Sequence, residues 1–325
     1  MKKLNSPMRR CLSAALLSLM VPAAWAWTDK PVKLIVPAPA GGTMDVIARL
    51  FGDQLAADLG QPVIIDNKPG AGGAIGIRAL TSAPADGQTL MVTASNVLTE
   101  IPNVMKVPFD PLNDVKPVGQ LAQASLVLVV PPTSPATDLK SLIADIKANP
   151  GKLNYASYSA GTVSHYASAM LVKKEGLDIQ HVPFAGSPPA LAALMGGQMA
   201  MMFDGVVTSK PQIQGGKLRG IAVGSAQRSK HLPDLPTMGE LGYPEIAFSN
   251  WLGVVVSAKV KPDLVEKIHA AVAKVASNPK VSGRLGAVGF DPAQDMSAAE
   301  MAKAVKADYM RNAAIVKQYG ITIGR

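Results

Sequence analysis

The chain has 325 residues, 48% hydrophobic and 17% charged, with a formal net charge of +9. That much apolar material excludes an intrinsically disordered protein, and the unperiodic scatter of its 29 glycines and 26 prolines excludes collagen-like or low-complexity sequence. The length is large for one domain and predicts two.

Residues 1–26 read as an export signal. Lys2, Lys3, Arg9 and Arg10 form a basic start, Leu12 to Ala24 is a mainly apolar run too short to span a bilayer easily, and Ala24-Trp25-Ala26 is an A-x-A cleavage site. Cleavage after Ala26 leaves 299 residues beginning at Trp27 and lowers the net charge to +5. A periplasmic location follows. The single cysteine, Cys11, falls within the signal, so the mature chain has no disulfide, no thiol nucleophile and no thiolate-bound metal. No remaining Lys/Arg cluster forms a nucleic-acid patch.

After the signal, short β-branched runs alternate with helix-period segments. Strands are predicted at Lys33–Pro37, Pro62–Ile65, Thr89–Thr93 and Leu126–Val130, with a helix over Asp45–Leu59 that uses Val46, Leu50 and Leu55 among its apolar positions. The pattern restarts beyond Pro131, with a helix over Ser141–Ala148 and strands at Leu153–Ala156, His181–Phe184, Ala200–Phe203 and Leu218–Val223. An apolar run at Trp251–Val256 and two helices finish the chain. Pro262 opens the first helix, with Leu264, Ile268, Val272 and Val275 on one face; the Ser297-x-x-Glu300 capping box opens the second. The expected architecture is α/β with mostly parallel sheets in two lobes. Residues 27–124 and 250–325 form lobe 1, residues 125–249 form lobe 2, and the chain crosses near 122–126 and 247–253.

Two loops share a design 119 residues apart. Leu34 to Ala48 and Leu153 to Ala167 each read as strand, small-residue loop, Gly-Thr (Gly42-Thr43 and Gly161-Thr162), then helix. A helix start leaves unpaired N–H groups and about half a positive charge, and glycine lets a ligand approach the backbone. Such a loop can hold a carboxylate or phosphate without a basic side chain. Phe184-Ala-Gly-Ser187-Pro188-Pro189 is a third loop of this kind, with Ser187 at the N-cap and Pro188 at the first helical position; Asn67 to Gly73 is a fourth. Asp45 is expected to accept first-turn N–H groups. Asp204 either meets a cationic or hydroxyl group of the ligand or caps a turn.

Enzymatic signatures are weak. Gly70-Ala-Gly-Gly-Ala-Ile-Gly76 departs from the dinucleotide fingerprint, and neither G-x-S-x-G nor H-E-x-x-H occurs. His165 with Asp204 is the one acid/base pair on offer. The reading is therefore not an enzyme, with no cofactor and no metal.

At these loops the sequence resembles the extracytoplasmic receptors of the tripartite tricarboxylate transporter family, also called Bug proteins. The resemblance rests on Val36-Pro37, Gly41-Gly42, Asp45 to Arg49, Asn67 to Gly73, Asn149 to Tyr155, Gly161-Thr162, His181 to Ser187, Gly196-Gly-Gln198, Met202-Phe-Asp204 and Leu232 to Pro236. It implies a periplasmic-binding-protein-like Venus flytrap that closes on a small carboxylate and delivers it to a membrane permease. By matched position it implies ligand contacts at Ala38, Pro39, Ala40, Gly41, Gly42, Thr43, Ser95, Ser157, Tyr158, Ser159, Ala160, Gly161, Thr162, His165, Ala185, Gly186, Ser187 and Asp204. The partners implied are a di- or tricarboxylate, acidic amino acid or aromatic carboxylate, and permease subunits, with the chain acting as a monomer. A sensor docking on a kinase ectodomain and a secreted enzyme on a carboxylated substrate are the alternatives. Ala38 stands where the family often has Phe or Tyr, Tyr158 stands in the opposite loop, and the frequent Tyr-Lys-Gly is Phe184-Ala185-Gly186. These departures suit a longer or aromatic carboxylate.

Overall fold

A computed structural model describes residues 27–41 and 43–323, so the export signal and Gly42 lie outside the described residues. In chain order the elements are β1 (Val32–Val36), α1 (Thr43–Leu59), β2 (Val63–Asn67), α2 (Ala74–Ser82), β3 (Thr89–Ala94), α3 (Asn96–Thr99), α4 (Ile101–Val104), β4 (Val115–Val130) and α5 (Leu139–Ala148). There follow β5 (Asn154–Ser157), α6 (Val163–Glu175), β6 (Gln180–Pro183), α7 (Ser187–Met195), β7 (Met201–Gly205), α8 (Val206–Gln214) and β8 (Arg219–Val223). The chain ends with β9 (Ser249–Ser257), α9 (Pro262–Ser277), α10 (Pro279–Ala287), β10 (Asp291–Pro292) and α11 (Ala298–Tyr319).

β4 organises the molecule. Its first part, Val115 to Ser125, pairs antiparallel with β9, and its second part, Leu126 to Val130, pairs antiparallel with β7 and β8. One strand therefore serves two sheets, arranged β2-β1-β3-β9-β4-β7-β5-β6 across the molecule. Among the named strands, parallel pairing joins β1–β2, β1–β3, β5–β6 and β5–β7 and the other pairs are antiparallel, so the sheets are mixed rather than mostly parallel. The cause is the pair of crossing strands, β4 and β9, which run antiparallel to each other. Register shifts at Pro117/Gly119 and Gln120/Ala122 admit proline and glycine into β4.

Apolar side chains segregate accordingly. Leu34, Phe51, Leu55, Val92, Val254 and Val272 belong to a core around the first sheet; Leu128, Tyr166, Leu171, Met201 and Phe203 belong to one around the second. α1 buries Ile47, Phe51 and Leu55; of the expected apolar positions Leu55 is buried, Leu50 half-buried against the core and Val46 58% exposed. α11 bridges the two halves. Met301 and Val305 pack beside Ile35 and Trp251, while Ile315 and the following Ile321 pack with Tyr166 and Phe203. The Ser297–Glu300 capping box forms, with reciprocal bonds of 2.9 and 3.2 Å. Three helices, not two, follow β9, because Asn278 caps a separate α10 behind Pro279. Among the described residues no helix is long and apolar enough to cross a membrane.

Candidate functional site

A cleft of about 440 Å³ opens where the halves meet. The first half contributes Ala38, Met44, Ile47, Ala94, Asn96 and Phe290, the crossing strands contribute Ala124, Ser125, Leu126, Asn250 and Leu252, and the second half contributes Tyr158, Gly186, Ser187, Gly205, Val207 and Thr208. The wall is largely apolar, and none of these lining residues is charged. The volume suits a small organic ligand.

Of the expected contacts, Ala38, Tyr158, Gly186 and Ser187 line the cleft. Ser95 is buried just behind it; its Oγ donates to Asn250 Oδ1 at 2.6 Å and so fixes the amide that lines the wall. Pro39, Ala40, Gly41, Ser159 and Ala185 are solvent-exposed or half-exposed outside that wall, with Ala160 half-buried. Ser157 is fully buried, its Oγ 2.7 Å from His181 Nε2. Thr43 opens α1. Gly42, half of the expected loop pair, lies outside the described residues.

The amide-grip expectation needs correction at three glycines. The Gly41 N–H donates to Asp45 Oδ2 at 2.8 Å. The Gly161 N–H donates to His165 Nδ1 at 3.3 Å. The Gly186 N–H donates to the Tyr158 carbonyl at 2.7 Å. Each donor is satisfied within the chain and is not presented to a ligand. Gly161, with φ of 75°, is packed so that a side chain would run into Val104 and Ile323. Thr162 is buried and donates to the Ser159 carbonyl at 2.7 Å.

Asp45 is the anion of the first loop. It also accepts from Arg49 Nε at 2.9 Å and from Asn67 Nδ2 at 3.0 Å, and Asn67 Nδ2 lies 3.0 Å from the Ala38 carbonyl. The Arg49 bond, then the Gly41 amide and Asn67, hold its carboxyl at about 2 despite burial. Its partner in the loop is thus a pre-helix amide rather than the first-turn amides expected.

His165 is not a cleft residue. It stacks on His181 with centroids 3.9 Å apart, and both line a separate cavity with Tyr155, Lys173 and Tyr319. Burial, reinforced for His165 by His181, lowers both imidazoles to about 4. Asp204 is fully buried at the end of β7 and lines neither cavity. Ser187 Oγ, Thr208 Oγ1 and Ser209 Oγ donate to it at 2.5, 2.6 and 2.8 Å. The proposed His165–Asp204 acid/base pair is therefore not assembled. Ser187 is the first helical residue behind the Gly186 N-cap, and its hydroxyl turns to Asp204 instead of capping.

Tyr158 brings an aromatic face to the cleft, and its phenol is engaged by the Thr162 hydroxyl and the Ser164 amide at the start of α6. Burial, with Glu100 and Asp204 nearby, pushes that phenol up. The expectation missed Asn96, Asn250, Thr208 and Phe290. The one available signal was a polar residue, Asn250, heading an apolar run within the expected crossing.

The chain matches the sequence model of the tripartite tricarboxylate transporter family receptor over residues 47–321. It is 34% identical over 272 residues to protein BugT of Bordetella pertussis, covering 83% of each chain. Among solved structures it is similar to R. palustris Rpa4515 with adipate, at 29% identity, a TM-score of 0.82, and coverage of 91% of this chain and 99% of that one. It is also similar to MatC from Rhodopseudomonas palustris with bound malate, at 29% identity, a TM-score of 0.77, and coverage of 89% and 99%.

Proposed function

Because the chain belongs to the tripartite tricarboxylate transporter receptor family of periplasmic solute-binding proteins, we propose that it captures a small carboxylate in the cleft at β4 and β9 and delivers it to a membrane permease. The observation that carries this reading is the cleft itself, which is uncharged, mostly apolar and furnished with the side-chain amides of Asn96 and Asn250. Side-chain amides can donate to a carboxylate without the desolvation cost of burying a basic residue. Adipate in one structural neighbour and malate in another support the ligand class.

The capture step we propose is closure of residues 125–249 against residues 27–124 and 250–325. β4 at Ser125–Leu126 is the hinge, with the start of β9 paired beside it, since β4 is the strand whose pairing changes sheet. Export through residues 1–26 places the protein in the periplasm, where it works as a monomer. Closing the cleft excludes water and strengthens each polar contact within it.

A thermal-shift screen of the chain from Trp27 onward, unfolded and refolded to remove any bound metabolite, tests the reading. A carboxylate at 100 times its Kd stabilises the folded state by about 2.7 kcal/mol and raises the melting temperature by several degrees. A panel in which every mono-, di- and aromatic carboxylate is silent while a neutral or cationic solute stabilises the protein overturns it.

A further inference from the structure

The carboxylate reading leaves open what the far end of the ligand carries, and the hydroxyls around Asp204 bear on that question. Ser187 and Thr208 line the second half's wall of the cleft and bond to opposite oxygens of the same buried carboxyl. A hydroxyl has one proton and two lone pairs. The Ser187 proton is directed to Asp204 Oδ1 at 2.5 Å, and the Thr208 proton to Oδ2 at 2.6 Å. Were Oδ2 itself protonated, Thr208 would direct its own proton to the Gly205 carbonyl 3.0 Å away. With the carboxyl ionised, or protonated at Oδ2, the two hydroxyls have only lone pairs left for the cleft. Ser209, at 2.8 Å from Oδ2, holds the carboxyl from the buried side.

The crossing strands have the opposite polarity. Ser95 donates to Asn250 Oδ1, which leaves the Nδ2 group as the donor end of this cleft-lining amide. Asn96, at the start of α3, also lines the cleft and carries a second amide donor. Between these polar ends lie Met44, Ile47, Leu126, Val207, Leu252 and Phe290.

We propose that Ser187 and Thr208 form a subsite that reads a hydrogen-bond donor, so that the preferred ligand is a monocarboxylate with an apolar body and a hydroxyl or amine at its far end. This assignment rests on the carboxylate reading above. The carboxylate meets Asn96 and Asn250, the apolar body fills the middle of the cleft, and the terminal O–H or N–H donates to Ser187 and Thr208. Asp204 is a positioning residue: it touches no ligand atom but fixes the direction of both hydroxyls. A second carboxylate at this end would set its lone pairs against two more acceptors backed by a buried acid, with no donor to compensate its desolvation.

Calorimetry at pH 7 on the refolded chain from Trp27 compares hexanoate with 6-hydroxyhexanoate, benzoate with 4-hydroxybenzoate, and adipate with 6-hydroxyhexanoate. The hydroxylated member of at least one pair is expected to bind about tenfold more tightly, as one well-formed hydrogen bond implies, and adipate more weakly than 6-hydroxyhexanoate. Ser187→Ala and Thr208→Val are each expected to bring the hydroxyl preference to within about twofold. Thr208→Val keeps the side-chain shape and covers the case in which Ser187→Ala disturbs the start of α7. Binding of carboxylates with no hydroxyl preference, adipate exceeding 6-hydroxyhexanoate, or an unchanged preference in both variants overturns the subsite while leaving the carboxylate reading standing. Silence from all five compounds overturns the subsite; the carboxylate reading falls only when the whole thermal-shift panel of carboxylates is silent as well, while a neutral or cationic solute binds.

Discussion

Asp45 does within the chain what a bound anion would do at the loop before α1. It accepts from the Gly41 amide, from Arg49 and from Asn67, and so ties β1, α1 and the end of β2 into one rigid corner beside the cleft. Its carboxyl is held below the ordinary value of 3.8, at about 2, so the folded state binds its proton less readily than the unfolded chain does. The stabilisation is complete above about pH 4 and is lost as pH falls through 2. Asp45→Asn is expected to cost about 1–3 kcal/mol at pH 7, by loss of charge-assisted bonds, and to flatten the wild type's decline between pH 4 and 2. Urea denaturation of both proteins at pH 7, 4 and 2.5 checks it; equal stabilities at pH 7 would show that the corner holds without the charge. The other two loop glycines have their own partners, His165 for Gly161 and the Tyr158 carbonyl for Gly186. A motif read along the chain shows which amides could serve a ligand. It does not show which are already taken, because two of the three acceptors lie four residues on and the third lies in a different loop.

At the scale of elements, α3, α4, α6 and α11 converge on one buried acid. Glu100 joins α3 to α4, its carbonyl accepts from Tyr166 Oη on α6 at 3.0 Å, and its carboxyl takes the Thr99 hydroxyl at 2.8 Å. Burial, opposed by the Thr99 bond and aided by Asp308 on α11, pushes that carboxyl up to about 7; Arg311 pulls the other way. A raised carboxyl favours the folded state below pH 4.5, and that advantage disappears as pH rises through 7. Glu100→Gln, which stays neutral, is therefore expected to match the wild type near pH 4.5 and to exceed it by about 1–3 kcal/mol above pH 7. Thermal melts across that range decide the matter; a Gln variant that is less stable at pH 8 would mean the ionised acid is held by the helices rather than tolerated. Convergence of this kind was invisible in the sequence, where Glu100 sits between two four-residue helices with no apolar period. The strand cores at β1, β3 and β7 were legible because runs rich in Val, Ile, Leu, Met and Phe bury on both faces. The first eleven residues of β4 were not, since Pro117, Gly119, Gln120 and Gln123 break the strand pattern and are accommodated by register shifts. The cleft was legible in Ala38, Tyr158, Gly186 and Ser187 and missed in Asn96, Asn250 and Thr208, which look like ordinary polar residues until α3, β9 and α8 bring them to it.

For the whole molecule, the elements that pass between the halves also bind them into one folding unit. β4 has no loop at the crossing: Ser125 pairs with Ser249, and its neighbour Leu126 pairs with Gly205. α11 then returns from the first core at Met301 and Val305 to the second at Ile315, where Asn312 also donates to the Thr99 carbonyl at 3.0 Å. Two lobes joined only by flexible linkers would unfold independently, each losing its own core. Here, melting of the second core frees the last five residues of β4 and the second half of α11, both continuous with elements of the first core, which loses their anchorage with them. A single calorimetric transition is expected, with van't Hoff and calorimetric enthalpies in agreement. Ile315→Ala, a truncation in the second core, is expected to cost about 2–5 kcal/mol and to move that whole transition down rather than split it. Splitting into two peaks, with the upper one at the wild-type temperature, would mean that α11 is a passive cover and that the halves are coupled through the strands alone.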